Sequence, residues 1–524
     1  MQPTTSTTTL PLPEQTADQP HPLARPILAL LVILLIAAPL FRGGATPLAS
    51  LALQMLALLI LTAALWHPHA LPLTRLELGL VLALPLTVLA YLIPLPTAAV
   101  NALPGHALQA SVEALLPAGV LDAWKPLSIN PTATLNAGLA LLVPLAVFVG
   151  CRALDGRALL RLAQLLLLVA CGQALLGLIQ YATAQHGEML FAVSDGHRDS
   201  GIGTYANRNH LAGLLVMALA LALALLFSSL GLKDRGPRQS GDWRRRAAFL
   251  GSRHGGAALA YAAIAVLLVL GIIFSRSRAG ISLAMLGLVL SALLYSRRIG
   301  DRNAFGLTGR LVAVVIGLGL AIGLVPVLER FSVRGVVEDG RQAIFTATLT
   351  GIGQRLPLGS GPGTFADAIR PLQPPGEFSA KFLNRAHNDY LEWVSDAGLI
   401  AVVLIVLALL LYLRQWPRVY RRIEWNRVRF LRAGAGVGLL LLALHEGVDY
   451  NLCIPANQAV FALLAGLFFM PADPADNAPA APGRRRRRTP DLDPATGLAS
   501  PTPASRFQPA VAPSDGQIDN PFRD

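Results

Sequence analysis

The sequence predicts an all-α polytopic membrane protein with about twelve transmembrane helices. Three observations predict it. Hydrophobic residues make up 54% of the chain and charged residues only 14%, well below the charged share of soluble domains. The apolar residues fall in runs long enough to cross a hydrocarbon core of about 30 Å as helices, with tilt and with ends that reach the interface. Lys and Arg gather in every second loop between those runs. Together these exclude a soluble enzyme, a disordered regulator and a nucleic-acid-binding domain. The net charge of +13 is assigned to basic cytoplasmic loops facing anionic lipid rather than to a nucleic-acid partner.

The chain opens with a Thr/Pro-rich segment, 1–24, with few positive charges and no convincing cleavage site, so no removed signal peptide is expected. Nine spans follow within 25–327, at 25–41, 46–66, 78–95, 134–150, 162–181, 209–230, 257–274, 279–295 and 311–327. The run from Ala257 to Tyr295 is too long for one crossing. Ser275-Arg276-Ser277-Arg278 breaks it, which predicts two helices and a tight turn. A large loop, 328–396, separates the ninth and tenth spans. The last three spans, within 397–471, lie at 397–413, 433–449 and 457–471. The tail, 472–524, is rich in Pro, Ala and Asp and is expected to be disordered. Its basic run from Arg484 to Arg488 reads as a solvated, membrane-facing positive element, and Asp491-Leu492-Asp493 as a chance likeness to a DxD motif.

Orientation follows from the basic residues. Of the 43 Lys and Arg, 30 fall on the side of the termini and 13 on the other side. The richer side is cytoplasmic, so both termini are expected inside and loop 328–396 outside, in the periplasm. The basic residues of that loop weigh little, because long loops translocate largely regardless of charge. Cys151, Cys171 and Cys453 lie far apart and suggest neither a disulfide framework nor a zinc site.

With that topology, the polar groups inside apolar sequence collect on the outer side. Asn207-Arg208-Asn209-His210 opens the sixth span. Arg276 and Arg278 occupy a short outer turn that the positive-inside rule disfavours; an anionic ligand would account for them, as would snorkelling to lipid headgroups. Loop 328–396 carries Arg341, the stretch Gly359-Ser360-Gly361-Pro362-Gly363-Thr364-Phe365, and Arg385-Ala386-His387-Asn388-Asp389-Tyr390. Asn388 or Asp389 is a candidate N-cap for a helix that runs into the tenth span. His387 would then stand at a helix N-terminus, which favours bound phosphate. Near the end of the eleventh span, His445 and Asp449 are four residues apart and are expected on one helix face, as a structural pair or as substrate contacts. The Gly-rich stretch has no Lys-Ser/Thr after its last glycine, so it is not a nucleotide-binding P-loop. No spacing suggests a metal site, and there is no GxSxG elbow. Any chemistry would draw its energy from an activated substrate at the outer leaflet.

Several of these motifs resemble the O-antigen ligase / O-antigen polymerase superfamily of bacterial inner-membrane glycosyltransferases. The resemblance is clearest from about Gly203 to Ala401. His387, Asn388 and Gly398 fit the ligase pattern of a histidine, Asn/Ser/Gln, nine residues and Gly, while Ala401 departs from its last position. Also similar are Gly203-Thr204-Tyr205-Ala206-Asn207-Arg208-Asn209-His210, Ser275-Arg276-Ser277-Arg278-Ala279-Gly280, and Gly340-Arg341 leading to the Gly-rich stretch. The resemblance implies a lipid-dependent glycosyltransferase of the GT-C-like helical type. It implies a donor glycan on undecaprenyl diphosphate and an acceptor that is lipid A-core, a second lipid-linked glycan or a protein hydroxyl. Neither nucleotide nor metal is expected, and membrane lipids are the only other partners.

The chemistry agrees with that picture. An acceptor hydroxyl loses a proton as it attacks the anomeric carbon, a task suited to a neutral imidazole, and His387 is the expected base. Arginines at the leaving diphosphate would do the work of a metal ion. Arg278 and Arg341 match the family's arginines and come first, followed by Arg276 and Arg208. Asn207, His210, Asn388, His445 and Asp449 are expected substrate contacts. Direct displacement predicts inversion. The alternatives are a repeat-unit polymerase, a protein O-oligosaccharyltransferase and, in another class, a transporter of lipid-linked glycan.

Overall fold

Backbone inside hydrocarbon must satisfy its own polar groups, and long apolar runs do so as helices. The computed structural model describes residues 21–66, 71–117, 123–183, 200–231, 253–299, 339–373, 383–420 and 425–471. The principal helices are α1 (Ala24–Ala37), α2 (Pro47–Leu65), α3 (Arg75–Leu92), α4 (Pro131–Arg152), α5 (Gly156–Thr183), α6 (Arg208–Gly231), α7 (Arg253–Phe274), α8 (Arg278–Ile299), α9 (Asp339–Arg355), α10 (Asp389–Tyr420), α11 (Arg427–Glu446) and α12 (Pro455–Phe468). Among the described residues, nine helices are long and apolar enough to cross a membrane; α1 and α12 are apolar but shorter, and α9 is not apolar. The protein is a polytopic helical membrane protein. The expected span at 311–327, residues 328–338 of the large loop and the tail with Arg484–Arg488 lie outside the described residues.

Side chains chosen for the purpose start the helices. Thr74 and Glu77 form a capping box on α3, with Thr74 N donating to Glu77 Oε2 at 2.8 Å. The side-chain oxygens of Asn130 and Asn426 accept from the third residue on, at 3.1 and 2.9 Å, and cap α4 and α11. In the turn between α7 and α8, Ser277 Oγ accepts from Gly280 N at 3.2 Å. That turn ends α7 at Phe274 and starts α8 at Arg278, the break expected from the Ser-Arg sequence.

Helix α6 is the centre of the bundle. Its whole apolar length is buried, and it packs against α7, α8 and α11. A helix apolar on every side needs neighbours on every side, and small residues let them close in. Gly434 of α11 meets Ala220 and Ala224 of α6, and Gly280 of α8 meets Ala212. By contrast, α2, α3 and α10 leave large apolar side chains exposed on one side, among them Leu48, Leu51, Leu86, Leu89, Val403 and Leu410, which suits contact with lipid tails. At the end of the bundle away from the candidate site, Arg152 pairs with Glu77 at 3.3 Å and donates to the carbonyls of Pro72 and Phe469, tying α4 to α3 and α12.

The sequence predicted only helices. The structure adds a two-stranded antiparallel ribbon, β1 (Pro94–Pro96) with β2 (Trp124–Pro126), pairing Leu95 with Lys125 in the connection from α3 to α4. Prolines at three of the six positions hide strands this short from any periodicity argument.

The Gly-rich stretch is a strap around a kink in α10. At Gly398 the helix breaks (φ 55°, ψ −134°), which frees the carbonyls of Ser395 and Asp396. These accept from Ser360 N at 3.1 Å and Gly361 N at 2.8 Å, and the Asp396 carboxylate takes Gly363 N at 2.7 Å. Leu399 N donates to Pro357 O at 2.8 Å, and the Tyr91 hydroxyl of α3 to Leu358 O. A Cβ at Gly398 would overlap the Pro357 carbonyl. Gly398→Ala is therefore expected to cost more than about 1 kcal/mol, read as a lower thermal unfolding midpoint in detergent.

Candidate active site

Three non-helical segments meet at one end of the bundle, each leading into a helix. The first leads into α10. Asn388 is its N-cap, its Oδ1 accepting from Leu391 N at 3.1 Å. One turn on, Glu392 reaches back to Arg385 at 2.6 Å and to Ala386 N at 2.9 Å. Between these anchors His387 takes a left-handed backbone conformation, φ 52°, uncommon for any residue with a side chain. Strain of that kind persists only where surrounding contacts hold it, and it turns the imidazole towards the second segment.

The second segment is the turn from α11 to α12. Here one expectation is corrected. His445 and Asp449 do not share a helix face, because α11 ends at Glu446 and Gly447 follows as its C-cap. His445 stays on the helix, while Asp449 lies in the turn and faces other partners. The turn is well fastened. Asn388 Nδ2 donates to Gly447 O at 2.9 Å, and Glu446 Oε2 accepts from Asn451 N at 2.8 Å.

The third segment leads into α6. Gln180 of α5 accepts from Gly203 N and donates to Gly203 O, both at 2.8 Å, while Gln173 accepts from Thr204 N at 2.9 Å. Asn457 of α12 donates to His210 O at 3.0 Å and accepts from the Tyr205 hydroxyl at 3.1 Å. Asn207 is joined to Tyr450 by a side-chain hydrogen bond, which ties the second and third segments together.

Histidines from two different segments thus face one carboxylate. His387 Nδ1 and His210 Nε2 each lie 3.9 Å from Asp449 Oδ1, an ion-pair distance rather than a hydrogen bond. Tyr450 stands between the two imidazoles, with ring centroids at 5.0 Å from His387 and 4.7 Å from His210, edge-on to both. Burial alone would raise the Asp449 carboxyl, but His387, His210 and His445 around it hold it well below the usual carboxylate range. Burial and the Asp449 charge push the Tyr450 hydroxyl up, which keeps it neutral.

The histidines differ in access. The His387 side chain is 29% exposed, against 4% for His210, and His445 is fully buried. His387 Nδ1 is itself buried on the Asp449 side, so the exposure lies on the opposite edge of the ring. A carboxylate at Nδ1 favours the tautomer with its proton there and leaves Nε2 as the basic atom.

The four arginines lie at or near helix starts. Arg208 opens α6, two residues before His210, and Arg278 opens α8, whose first turn packs on that of α6 through Gly280 and Ala212. Arg276 lies in the turn before it, also with a positive φ of 56°. Arg341 lies in the first turn of α9, and its side chain is outside what the structure describes. Among the described residues no group of three or more His, Cys, Asp or Glu is arranged to hold a metal ion.

Residues 263–406 match the family model described as O-antigen ligase. That segment is similar to the O-antigen ligase family. The match runs from α7 to the middle of α10 and contains His387, Arg276, Arg278 and Arg341. His210 of α6 and the Asp449 turn come from outside the matched segment, so the candidate centre also draws on the elements that flank it. No curated protein matches the chain.

Sequence reasoning missed Tyr450, Glu392, Gln173 and Gln180. The glutamines had a usable signal, since two amides seven residues apart on an apolar helix mark one polar stripe. Tyr450 had none, because its role comes from the segments it touches. Removing the Asp449 charge tests the electrostatics. A carboxyl held below its unfolded value contributes stability that is present above about pH 4 and lost as pH falls further. Asp449→Asn should therefore unfold more easily than wild type at neutral pH, and the difference between their thermal midpoints should shrink below about pH 4.

Proposed function

We propose that the protein transfers a glycan from a polyprenyl-diphosphate carrier, undecaprenyl diphosphate, to an acceptor hydroxyl at the outer face of the bacterial inner membrane. The membrane setting and the ligase match supply the reaction class. One observation carries the mechanistic reading: of three histidines around Asp449, His387 is the one with an exposed edge, and it stands within the ligase match.

His387 serves as general base. The acceptor oxygen forms its bond to the anomeric carbon while the bond from that carbon to the carrier diphosphate breaks. The acceptor proton passes to His387 Nε2, and the diphosphate leaves with the electron pair. Asp449 acts through His387, fixing the tautomer and stabilising the imidazolium. Charge developing on the diphosphate is met by Arg278 and Arg341, with Arg276 and Arg208 in support, and α6, α8 and α10 all begin at this end of the bundle, so their dipoles add in the same sense. One displacement inverts the anomeric centre. His210, His445, Asn207 and Asn388 hold the wall behind the base, a role supported by the burial of the two histidines and the hydrogen bonds of the two asparagines.

The test is transfer by purified protein in liposomes, from an undecaprenyl-diphosphate glycan to lipid A-core, a lipid-linked glycan or a protein acceptor. His387→Ala should lower the rate at least about 100-fold, the scale of a lost general base, with the protein still folded and inserted. Normal transfer by that variant refutes the assignment. Arg278→Ala should weaken donor use, and Arg278→Lys should not restore it, since lysine lacks the planar fork that grips a phosphate. Donor crossing the bilayer without transfer to any acceptor would point to a transporter instead.

A further inference from the structure

Behind the candidate centre, two carboxyl groups are buried together. Asp389, the first residue of α10, and Glu446, the last of α11, are both fully buried and near enough for each carboxyl to act on the other. Two carboxylates cannot share a hydrogen bond without a proton, because ionised oxygens only accept. The remaining contacts fix where that proton belongs. Asp389 Oδ1 faces the Cys453 thiol at 3.6 Å. Glu446 Oε2 accepts from the backbone of Asn451 and Leu452, at 2.8 and 3.3 Å. Asp389 Oδ2 and Glu446 Oε1 have no donor among the described residues.

We infer that Asp389 and Glu446 hold one proton between Oδ2 and Oε1, and that this acid–carboxylate pair latches the turn bearing Asp449 to the helix start bearing His387. Neither residue reaches substrate; both are positioning residues. His387 precedes Asp389 by two residues, and Asp449 follows Glu446 by three, so the latch joins the two chain segments whose side chains must face each other at 3.9 Å. The nearby charges are Arg385, Glu392 and Asp449. Arg385 is already bound to Glu392 at 2.6 Å, and Asp449 to its histidines, which leaves the proton as the group that relieves the repulsion between Asp389 and Glu446. A glutamine at 446 would reproduce the latch: its amide oxygen can accept from Asn451 and Leu452 while its NH2 donates to Asp389.

Two measurements test this. The first is the infrared spectrum of the intact protein in detergent at neutral pH, with wild type compared with Glu446→Gln. Wild type should show the carbonyl-stretch band of a protonated carboxylic acid, shifted in deuterium oxide, and the band should be lost in Glu446→Gln. Spectra that superimpose in that region overturn the shared proton. The second measurement rests on the transferase reading. Glu446→Gln should keep kcat within a few fold of wild type, whereas Glu446→Ala should lose kcat on the order of 100-fold from a small misplacement of the base, with the donor KM unchanged. A folded Glu446→Gln as inactive as Glu446→Ala overturns the positioning role. Should Glu446→Ala fail to fold, the glutamine variant and the infrared band still decide. Absence of transfer by wild type itself would count against the transferase and leave the infrared result standing.

Discussion

Irregular backbone near a membrane survives only where something inside the protein takes up its amides and carbonyls, and the candidate centre is built on that constraint. Its three non-helical segments are each bound by a buried polar side chain from a helix. Gln180 and Gln173 of α5 hold the approach to α6, Glu446 of α11 holds the turn from α11 to α12, and Glu392 of α10 holds the approach to α10. These side chains make no chemistry of their own. They let loops exist where helices would otherwise be required, and the loops carry the groups that could act on a substrate.

That arrangement sorts similar residues into different roles. Three histidines lie around one carboxylate, and composition makes them equivalent. Position separates them: His445 is sealed within α11, His210 within the start of α6, and His387 stands at a strained residue just before α10, with one ring edge facing inward and the other outward. The two residues of the Ser-Arg turn differ in the same way. Arg278 begins a helix in ordinary geometry, whereas Arg276 sits in left-handed backbone. Among the histidines, backbone conformation, more than residue type, decides which one faces out.

Much of the fold was legible in the sequence because apolar runs and their interruptions are local signals. The break at Ser275–Arg278, the capping Asn388 and the gathering of polar groups at one end of the helices all follow from residues close together in the chain. What was not legible is long-range. Nothing near Tyr91 indicates that its hydroxyl meets Leu358, and nothing near Asp449 indicates that the helix stops three residues earlier and turns the carboxylate towards His387 and His210. The family pattern flagged Gly398 without its reason, which is the Pro357 carbonyl pressed against it. A ribbon of two three-residue strands, half of it proline, carries no periodic signal at all.

The full burial of α6 has a consequence for how the molecule is made. Its surroundings come from α7 and α8, which follow directly, and from α11, which is synthesised some two hundred residues later. Until α11 arrives, the face of α6 that will receive Gly434 and Gly438 has only lipid or earlier helices beside it. The first two-thirds of the chain can therefore insert but cannot finish packing. His210, on the first turn of α6, meets Asp449 only when the final helix pair docks. Assembly of the centre therefore waits for α11 and the turn after it, and no fragment that ends before them contains it.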